Sequence, residues 1–348
     1  MRILYLSRVR LNPYVDLLAR GVAAADPALR PRQIRTLSWP RVHLDRGWRI
    51  LHLHWIELLY NYEPVPHPQA AQNLHRLLST LERVRDQGRK LVYTVHNISQ
   101  HEGQYPDLNQ QANQWIFTHA DAIHVHNRFT ADQVARLYHR TEGVVIIPHG
   151  NYIGVYPQEV SRHDARARLA IPQDHFVYLF LGQMRPYKGL DELIGAFLTL
   201  DMADATLVLA GHIADTSYAR ELKQLAGDHP NIRLFPSYVP PDELQLYCHA
   251  ADVCVLPYRD ATTSGAALLA FSFGCPIIAP AIGPFPELLG DGTRGLLFHP
   301  QEHDLNEALA RARALPLAEM GRAARAFAEA RDWRTIGAQH ARVYRELF

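Results

Sequence analysis

Histidines lie at the ends of four apolar, strand-like runs in the first half of the chain. His54 ends the strand in "ILHLHW", His96 follows "KLVYTV", and His126 and His149 follow the next two runs. Because the carboxyl ends of parallel strands share one edge of a sheet, we expect these imidazoles to line one site. Imidazole exchanges a proton near neutral pH, which favours general acid–base chemistry. The alternative is that each histidine is a satisfied structural residue.

The spacing of the ligand-type residues does not predict a metal site. His52 and His54 form an HxH pair, but their strand is otherwise apolar, and the chain contains no HExxH and no DxD. The three cysteines, at 248, 254 and 275, form no CxxC pair and favour a reducing compartment over a disulfide scaffold. We therefore expect neither a metal nor a resident cofactor.

A loop with two cations follows a strand-like run in the second half, within "FLGQMRPYKGLDELIGAF". Gly182 and Gly189 bracket Arg185 and Lys188 there. Two cations beside a helix N-terminus can neutralise a diphosphate without a metal. Neither GxxxxGK[ST] nor GxGxxG is present, so this is not a P-loop or a dinucleotide fingerprint. A surface loop with two solvated cations explains the same residues.

Residues 261–286 carry no charged side chain, although 20% of the chain is charged. Threonine, serine, glycine and proline interrupt the stretch, which excludes a membrane helix. Its "TTSG" start offers the hydroxyls of Thr262, Thr263 and Ser264, and Gly265 allows close backbone approach. This pattern is typical of a helix N-terminus that binds an anion, and equally of an ordinary N-cap.

Short apolar runs alternate with longer helical patterns along the whole chain, which predicts an α/β protein with doubly wound parallel sheets. The length of 348 residues favours two domains. We predict two Rossmann-like domains, over residues 1–155 and 165–328, with a hinge near residues 152–165. A last helical segment occupies residues 329–348.

The charge is unevenly distributed, although the net charge is only +1. Residues 1–150 contain 18 lysines and arginines against 12 acidic residues, and the remainder contains 18 against 23. This balance excludes a generally basic nucleic-acid binder, whereas a basic first half suits an anionic partner such as a membrane surface. The candidate residues are Arg46, Trp48, Arg49, Arg76, Arg83, Arg85, Arg89 and Lys90. An arginine-rich solvated surface is the alternative.

The first residues do not resemble a signal peptide, and no run of about 18 residues is continuously apolar. We expect a cytoplasmic protein. Peripheral contact with the inner face of the plasma membrane depends on the basic residues just named.

From residue 177 to 290 the chain resembles the C-terminal domain of GT-B glycosyltransferases of the GT4-like group, the glycosyl transferases group 1. "GQMRPYKGLDELIGAF" is similar to their G-x(5)-KG loop, and "ADVCVLPYRDATTSGAALLAFSFGCPIIAPAIGPFPELL" is similar to their donor-binding segment. The first half matches through "ILHLHW", "TVHN" and "IPHGNY". The resemblance implies a GT-B fold, with two Rossmann-like domains facing a central cleft and helix 329–348 crossing back to the N-terminal domain.

The resemblance also implies a donor site for a nucleoside diphosphate sugar, linked to GDP or UDP. In it Arg185 and Lys188 bind the diphosphate, Arg185 replacing an arginine that the group has where this chain has Gln183. The donor-binding candidates are Gly182, Arg185, Lys188, Tyr238, Thr263, Ser264, Gly265 and Glu287. The acceptor-side candidates are Asn12, Tyr14, His54 and Trp55. By the same resemblance His96 approaches the donor sugar.

One feature of the group is absent. Retaining members carry E-x(7)-E, and alignment on residues 274–276 places these carboxylates at Thr262 and Ala270. A retaining transfer can use the leaving phosphate as proton acceptor, whereas an inverting transfer needs a general base. The candidate catalytic residues are His96, Glu57 and Glu102. "NPY" near the start and "LHLHW" are similar to bacterial exopolysaccharide β-mannosyltransferases, which are inverting, so both outcomes stay open.

The predicted function is transfer of a sugar from a nucleoside diphosphate to a glycan or lipid-linked acceptor in bacterial-type polysaccharide or glycolipid synthesis, without a metal. A nucleotide-sugar 2-epimerase is an alternative, because it also uses two Rossmann-like domains. A non-catalytic nucleotide-binding subunit is another, since the carboxylates are missing.

Overall fold

The computed structural model describes residues 1–38, 45, 47–63, 65–98, 104–200, 202–300 and 305–348. The chain divides into two compact units. Unit 1 comprises Met1–Gly150 and Arg331–Phe348, and unit 2 comprises Asn151–Ala330. Each unit contains a six-stranded parallel sheet with helices, so the predicted α/β class with two Rossmann-like domains is confirmed.

Unit 1 is built on the strand order β2-β1-β3-β4-β5-β6. Its strands are β1 (Arg2–Leu6), β2 (Arg30–Ile34), β3 (Trp48–His54), β4 (Lys90–Thr94), β5 (Ala122–Val125) and β6 (Val144–Ile146). Its described helices are α1 (Tyr14–Ala25), α2 (Ile56–Tyr60), α3 (His67–Asp86), α4 (Pro106–His119), α5 (Arg128–Tyr138) and, from the end of the chain, α14 (Trp333–Glu346). The strand order reverses between β1 and β3, where a doubly wound sheet opens a crevice.

Unit 2 has the strand order β12-β11-β10-β7-β8-β9. Its strands are β7 (Phe176–Leu181), β8 (Ala205–Ala210), β9 (Ile232–Phe235), β10 (Val253–Val255), β11 (Ile277–Pro280) and β12 (Gly295–Phe298). Its described α-helices are α6 (Arg162–Arg168), α7 (Leu190–Leu200), α8 (Thr216–Ala226), α9 (Leu244–Ala250), α10 (Gly265–Ser272), α11 (Phe285–Leu289), α12 (Leu305–Ala312) and α13 (Leu317–Glu329). The order reverses between β7 and β10.

The central strands are buried on both faces, as helix-covered parallel sheets require. All six residues of β8, "ATLVLA", are buried, and only Arg49 of the seven residues in β3 is exposed. The helices cover the sheets with one apolar stripe each. In α8 the buried residues Tyr218, Leu222 and Ala226 are spaced by four, and Asp215 caps the first turn.

Helix α14 packs tightly against α1 inside unit 1. A Cβ atom on Gly337 would lie 2.1 Å from the backbone carbon of Gly21, so both helices need glycine at this crossing. Asp332 caps α14 by accepting hydrogen bonds from the backbone amides of Arg334 and Thr335. The last helix is therefore part of the first Rossmann-like unit, as the resemblance implied.

Two edge strands were not predicted. Strand β2 reads "RPRQI", is exposed or half-buried throughout, and pairs only with β1. Strand β12, "GLLF", pairs only with β11. Strand β2 has no apolar run because edge strands bury little surface, whereas β12 is apolar but only four residues long.

No helix in the described part of the chain is long and apolar enough to cross a membrane. Two of the residues predicted to contact a membrane surface, Trp48 and Arg89, are buried instead. Trp48 is only 1% exposed, and the Arg89 guanidinium stacks 3.7 Å from the centre of its ring. That part of the prediction is wrong, because a buried side chain cannot contact a membrane surface. Arg46 lies outside the described residues.

Candidate functional site

The strongest concentration of predicted donor-site residues lies at the switch point of unit 2. The loop after β7 contains a short 3-10 turn, Pro186–Lys188, that leads into α7. The segment after β10 leads into α10, which begins at Gly265. Because β7 and β10 are neighbours, the two loops emerge side by side at the carboxyl edge of the sheet.

Glycines allow the backbones at this edge to approach one another. Gly189 has φ 67°, and a Cβ there would lie 2.2 Å from the carbonyl oxygen of Pro257 in the neighbouring loop. Gly211 has φ 143°, and its Cβ would lie 1.8 Å from the oxygen of Gly182. Glycine is therefore required at both positions for the loops after β7, β8 and β10 to pack.

Tyr258 joins the two predicted anion-binding motifs. The Lys188 ammonium lies 3.5 Å from the centre of the Tyr258 ring, which is cation–π distance. The side chain of Ser264 is close enough to the hydroxyl of Tyr258 to lower its pKa, which burial otherwise raises. Tyr258 is 3% exposed, so it is a fixed support. The ammonium and the start of α10 are thereby held near each other.

Arg259 fixes the loop that carries Lys188. Its backbone amide donates to Tyr187 O at 2.9 Å, and its guanidinium donates to Pro186 O at 2.7 Å. The same guanidinium bonds Asp191 and Glu192 in the first turn of α7. These carboxylates neutralise Arg259, which makes it a positioning residue. Sequence reasoning missed Tyr258 and Arg259, although both directly follow a strand-like run.

Ser264 is the N-cap of α10, and its hydroxyl accepts a hydrogen bond from the backbone amide of Ala267 at 3.2 Å. The remaining amides of the first turn have no carbonyl partner within the helix, as at any helix start. The flanking Thr262 is buried and Thr263 is half-buried. The N-terminal edge of α10 thus presents hydroxyls and amide groups beside a cation, an arrangement suited to an anion.

The other predicted donor residues occupy different positions around this edge. Arg185 is exposed and immediately precedes the 3-10 turn. Glu287 is exposed on α11, which follows β11, the neighbour of β10. Tyr238 is 49% exposed and follows β9 at the outer edge of the sheet. Lys188, Ser264 and Gly265 are brought together, whereas Tyr238 lies two strands from the switch point.

A second cluster occupies the corresponding edge of unit 1, around the ring of Tyr14. Six other aromatic rings have their centres 4.9–6.1 Å from it: His54, Trp55, His96, His126, His149 and Trp333. Asn12 Oδ1 accepts a hydrogen bond from the Tyr14 amide at 2.9 Å and shapes the turn into α1. The histidines that follow four different strands therefore lie together, as predicted. Trp333, which α14 contributes, was missed.

Trp55 and His96 are stacked in this cluster, with ring centres 3.7 Å apart and planes at 7°. Trp55 has a left-handed backbone, φ 49°, which is unusual for a non-glycine residue and is found most often at functional sites. His96 Nε2 lies 3.1 Å from His54 Nδ1, so one ring donates to the other. Burial lowers the pKa of both histidines well below 6.5. His96 is therefore neutral and able to accept a proton.

Glu57 lies in the first turn of α2, two residues after Trp55, and is half-buried. Asn97 Nδ2 donates to its Oε1 at 3.4 Å. Desolvation by burial raises the pKa of this carboxyl group, which favours proton exchange closer to neutral pH. Glu102, the third predicted catalytic residue, lies outside the described residues.

Known proteins share this organisation. Residues 161–330 match the family model described as "Glycosyl transferases group 1". A D-inositol 3-phosphate glycosyltransferase of Streptomyces avermitilis is 30% identical over 285 residues, covering 74% of this chain and 60% of the relative. The chain thus spans less than two thirds of that relative's length.

Longer matches exist at lower identity. A GDP-mannose:glycolipid 4-beta-D-mannosyltransferase of Xanthomonas campestris pv. campestris is 26% identical, and the alignment covers 96% of this chain and 88% of the relative. The solved structure of Anabaena Alr3699/HepE in complex with UDP superposes with a TM-score of 0.76 at 18% identity, over 99% of this chain and 100% of that chain. The structural likeness confirms the predicted GT-B fold. With the family match at 161–330, it follows that nearly all of unit 2 is similar to the glycosyl transferases group 1 family.

Proposed function

We propose that the protein transfers a sugar from a nucleoside diphosphate sugar, GDP- or UDP-linked, to a glycan or lipid-linked acceptor. The observation that carries this proposal is the contact chain Lys188–Tyr258–Ser264 at the switch point of unit 2. This chain of contacts places a cation next to a helix N-terminus, which is an arrangement that binds an anion. In a nucleoside diphosphate sugar, the anion is the diphosphate.

The leaving diphosphate is stabilised by side chains and backbone amides in this proposal. Lys188 supplies one charge and the exposed Arg185 a second, while the first turn of α10 donates N–H groups. Preorganised donors of this kind stabilise the developing negative charge, and loss of one costs about 3–4 kcal/mol in other enzymes. A metal is not needed to balance the diphosphate charge.

Acceptor activation belongs to unit 1 in this proposal. The neutral ring of His96, which stacks on Trp55 and lies 3.1 Å from His54, accepts the proton of an acceptor hydroxyl group, although its lowered pKa makes it a weaker base than a free imidazole. Glu57 is a second base of raised pKa two residues from Trp55. Of the predicted acceptor residues, Asn12 is exposed and Trp55 half-buried, so these two contact the acceptor in this proposal, whereas Tyr14 and His54 are buried and support them. In a retaining reaction the leaving phosphate accepts the proton instead, and His96 contacts the sugar.

The relatives support the choice of substrates. The names of the matched proteins specify transfer to inositol phosphate and, from GDP-mannose, to a glycolipid. The Anabaena neighbour holds UDP. A donor with a guanine or uracil base and a lipid-linked or small phosphorylated acceptor therefore fits both the residues and the family.

A glycolipid acceptor would bring the protein to a membrane surface. Arg76, Arg83 and Arg85 are exposed on α3, whereas Trp48 and Arg89 are in the core. We therefore assign any peripheral contact to the exposed face of α3. Binding to anionic vesicles that weakens when the three arginines are replaced by glutamine would support this assignment, and unchanged binding would contradict it.

The direct test of the function is nuclear magnetic resonance of the reaction products. The protein is incubated with UDP-glucose or GDP-mannose, with and without a bacterial glycolipid extract. Acceptor-dependent release of UDP or GDP supports transfer, and the anomeric coupling of the product distinguishes retention from inversion. Conversion of the donor sugar without acceptor would instead identify an epimerase, and binding without turnover of any donor would identify a non-catalytic subunit.

A further inference from the structure

Three histidines from three different elements meet in the interior of unit 1, next to the strand-end cluster around Tyr14, since the rings of His52 and His54 are 4.3 Å apart. His52 lies on β3, His124 on β5 and His340 on α14, and each is 0% exposed. One ring nitrogen from each can be chosen so that all lie within 4.8 Å of one another. Nothing in the proposed transfer reaction uses this cluster.

Four nitrogen atoms of the cluster have unmet hydrogen-bonding capacity. Both ring nitrogens of His124 and both of His340 have no hydrogen-bond partner among the described residues. A buried polar group without a partner costs about 1–3 kcal/mol. An aliphatic residue at either position would avoid this cost. The presence of two imidazoles therefore indicates that a ligand binds their lone pairs.

His52 is held in place by two further side chains. Its Nε2 lies 2.7 Å from Thr94 Oγ1, and its Nδ1 lies 2.7 Å from the hydroxyl of Tyr344. Tyr344 in turn is 3.1 Å from the hydroxyl of Tyr5. Both ring nitrogens of His52 therefore have hydrogen-bond partners, and one of these bonds must give way for His52 to bind an ion. Outer hydrogen bonds of this kind orient the histidine ligands of metal ions.

Neutral imidazole is the form that binds metal, and imidazole nitrogen selects zinc-like transition metals over magnesium or calcium.

We propose that His52, His124 and His340 bind one divalent transition-metal ion of the zinc class, which ties helix α14 to the sheet of unit 1. The Tyr344 hydroxyl, one helical turn after His340, is bonded to Nδ1 of His52. Zinc–nitrogen bonds of about 2.0–2.1 Å require the nitrogens to close up from their present spacing, and His52 must exchange one of its two hydrogen bonds for the ion. Such a site is structural, because it is fully buried.

This inference differs from the expectation drawn from the HxH motif. His52 is a ligand in it, but its partners are His124 and His340, which are remote in sequence, and His54 belongs to the strand-end cluster instead. The packing of α14 against α1 makes the third ligand available.

The test measures metal in the purified full chain, produced in zinc-supplemented medium without a histidine tag. Inductively coupled plasma mass spectrometry should find about one zinc per chain. The His340→Leu variant, whose side chain fills the space without a ligand atom, should lose it. The matched control is His163→Gln, which removes an exposed histidine of unit 2 and should retain the metal.

A second measurement covers the case in which His340→Leu does not fold. The wild-type chain is unfolded in chelator, then refolded with cobalt(II), with zinc or with neither. We expect the visible absorption of nitrogen-coordinated tetrahedral cobalt and a higher melting temperature with either metal. Folded wild-type protein with no metal, no cobalt spectrum and no thermal shift would overturn the proposal and leave trapped water as the partner of these rings. Metal retained in a folded His340→Leu variant would also overturn it.

Discussion

The ammonium of Lys188 lies 3.5 Å from the centre of the Tyr258 ring, although the two residues come from loops that follow different strands of unit 2. Strands β7 and β10 are neighbours at the point where the strand order reverses, and this adjacency creates the contact. Through the hydroxyl of Tyr258 the contact extends to Ser264 at the start of α10. The donor site proposed for this protein depends on that arrangement.

Replacement of Ser264 separates helix capping from anion binding. Ser264→Asp keeps an N-cap acceptor, so the free energy of unfolding should change by less than about 0.5 kcal/mol. The added charge should weaken binding of UDP or GDP about tenfold or more, since about 1.4 kcal/mol of repulsion suffices. Thermal unfolding with and without nucleotide measures both effects.

Ser264→Ala is the matched control for that experiment. It loses the cap at a cost of about 0.5–2 kcal/mol but adds no charge. It should therefore lose more stability and less nucleotide affinity than Ser264→Asp. Equal nucleotide affinity in wild type and Ser264→Asp would show that Ser264 is only a cap.

Gly189 tests whether the packing of the two loops matters. Gly189→Ala places a Cβ 2.2 Å from Pro257 O in a left-handed conformation, which costs about 1–2 kcal/mol before the clash is counted. We expect lower stability and weaker nucleotide binding, measured by chemical denaturation and calorimetry. Gly195→Ala, six residues further on and within α7, has open space around its Cβ and should gain about 0.5–1 kcal/mol. Equal effects at both positions would argue against a required loop contact.

We expect replacement of Glu57 to have opposite effects on stability and on activity. Burial raises the pKa of Glu57 above 4.5 in the folded protein. As the pH rises above 4.5, the unfolded chain therefore loses this proton before the folded chain does. The free energy of unfolding falls over that pH range. Glu57→Gln should therefore be more stable than wild type at pH 7, but not at pH 4, and should lose transfer activity if Glu57 is the base. Urea titrations at both pH values measure the first effect. The exposed Glu63→Gln serves as control, and a Glu57→Gln variant that is less stable at pH 7 would contradict the assignment.

His96 is the other proposed base, and its removal should affect turnover without affecting donor affinity. Loss of a general base lowers the rate by about 10²–10⁴-fold. His96→Gln should show such a loss while UDP or GDP binds as in wild type, because the nucleotide groups lie in unit 2. His75→Gln removes an exposed histidine from the same unit and should leave both quantities unchanged. A rate within about threefold of wild type would remove His96 from the mechanism.

Much of the fold could be predicted because its central strands are apolar runs separated by helical periodicity. The edge strands β2 and β12 could not be predicted, since β2 is partly exposed and has no apolar run, and β12 is only four residues long. The site was predictable only in part. Lys188 and Ser264 stand in recognisable motifs, but Tyr258 acquires its role through the adjacency of β7 and β10, which no local pattern encodes.

The same limit applies to the histidines of unit 1. Those that follow a strand were predicted to converge, and they do. His124 and His340 meet only because α14 packs against α1 and brings a ligand from the end of the chain to β3 and β5. Their separation in sequence carries no signal. The catalytic and binding roles of all these residues stay predictions.

The central claim is that unit 2 binds the diphosphate of a sugar donor through Arg185 and Lys188. Isothermal titration calorimetry of GDP and UDP against the wild-type chain and the double variant Arg185→Ala/Lys188→Ala tests it most directly, with the exposed Lys223→Ala as control. We predict 1:1 binding of at least one nucleotide to wild type and control, and no measurable binding to the double variant. Absence of binding to wild type, or unchanged affinity in the double variant, would contradict the account.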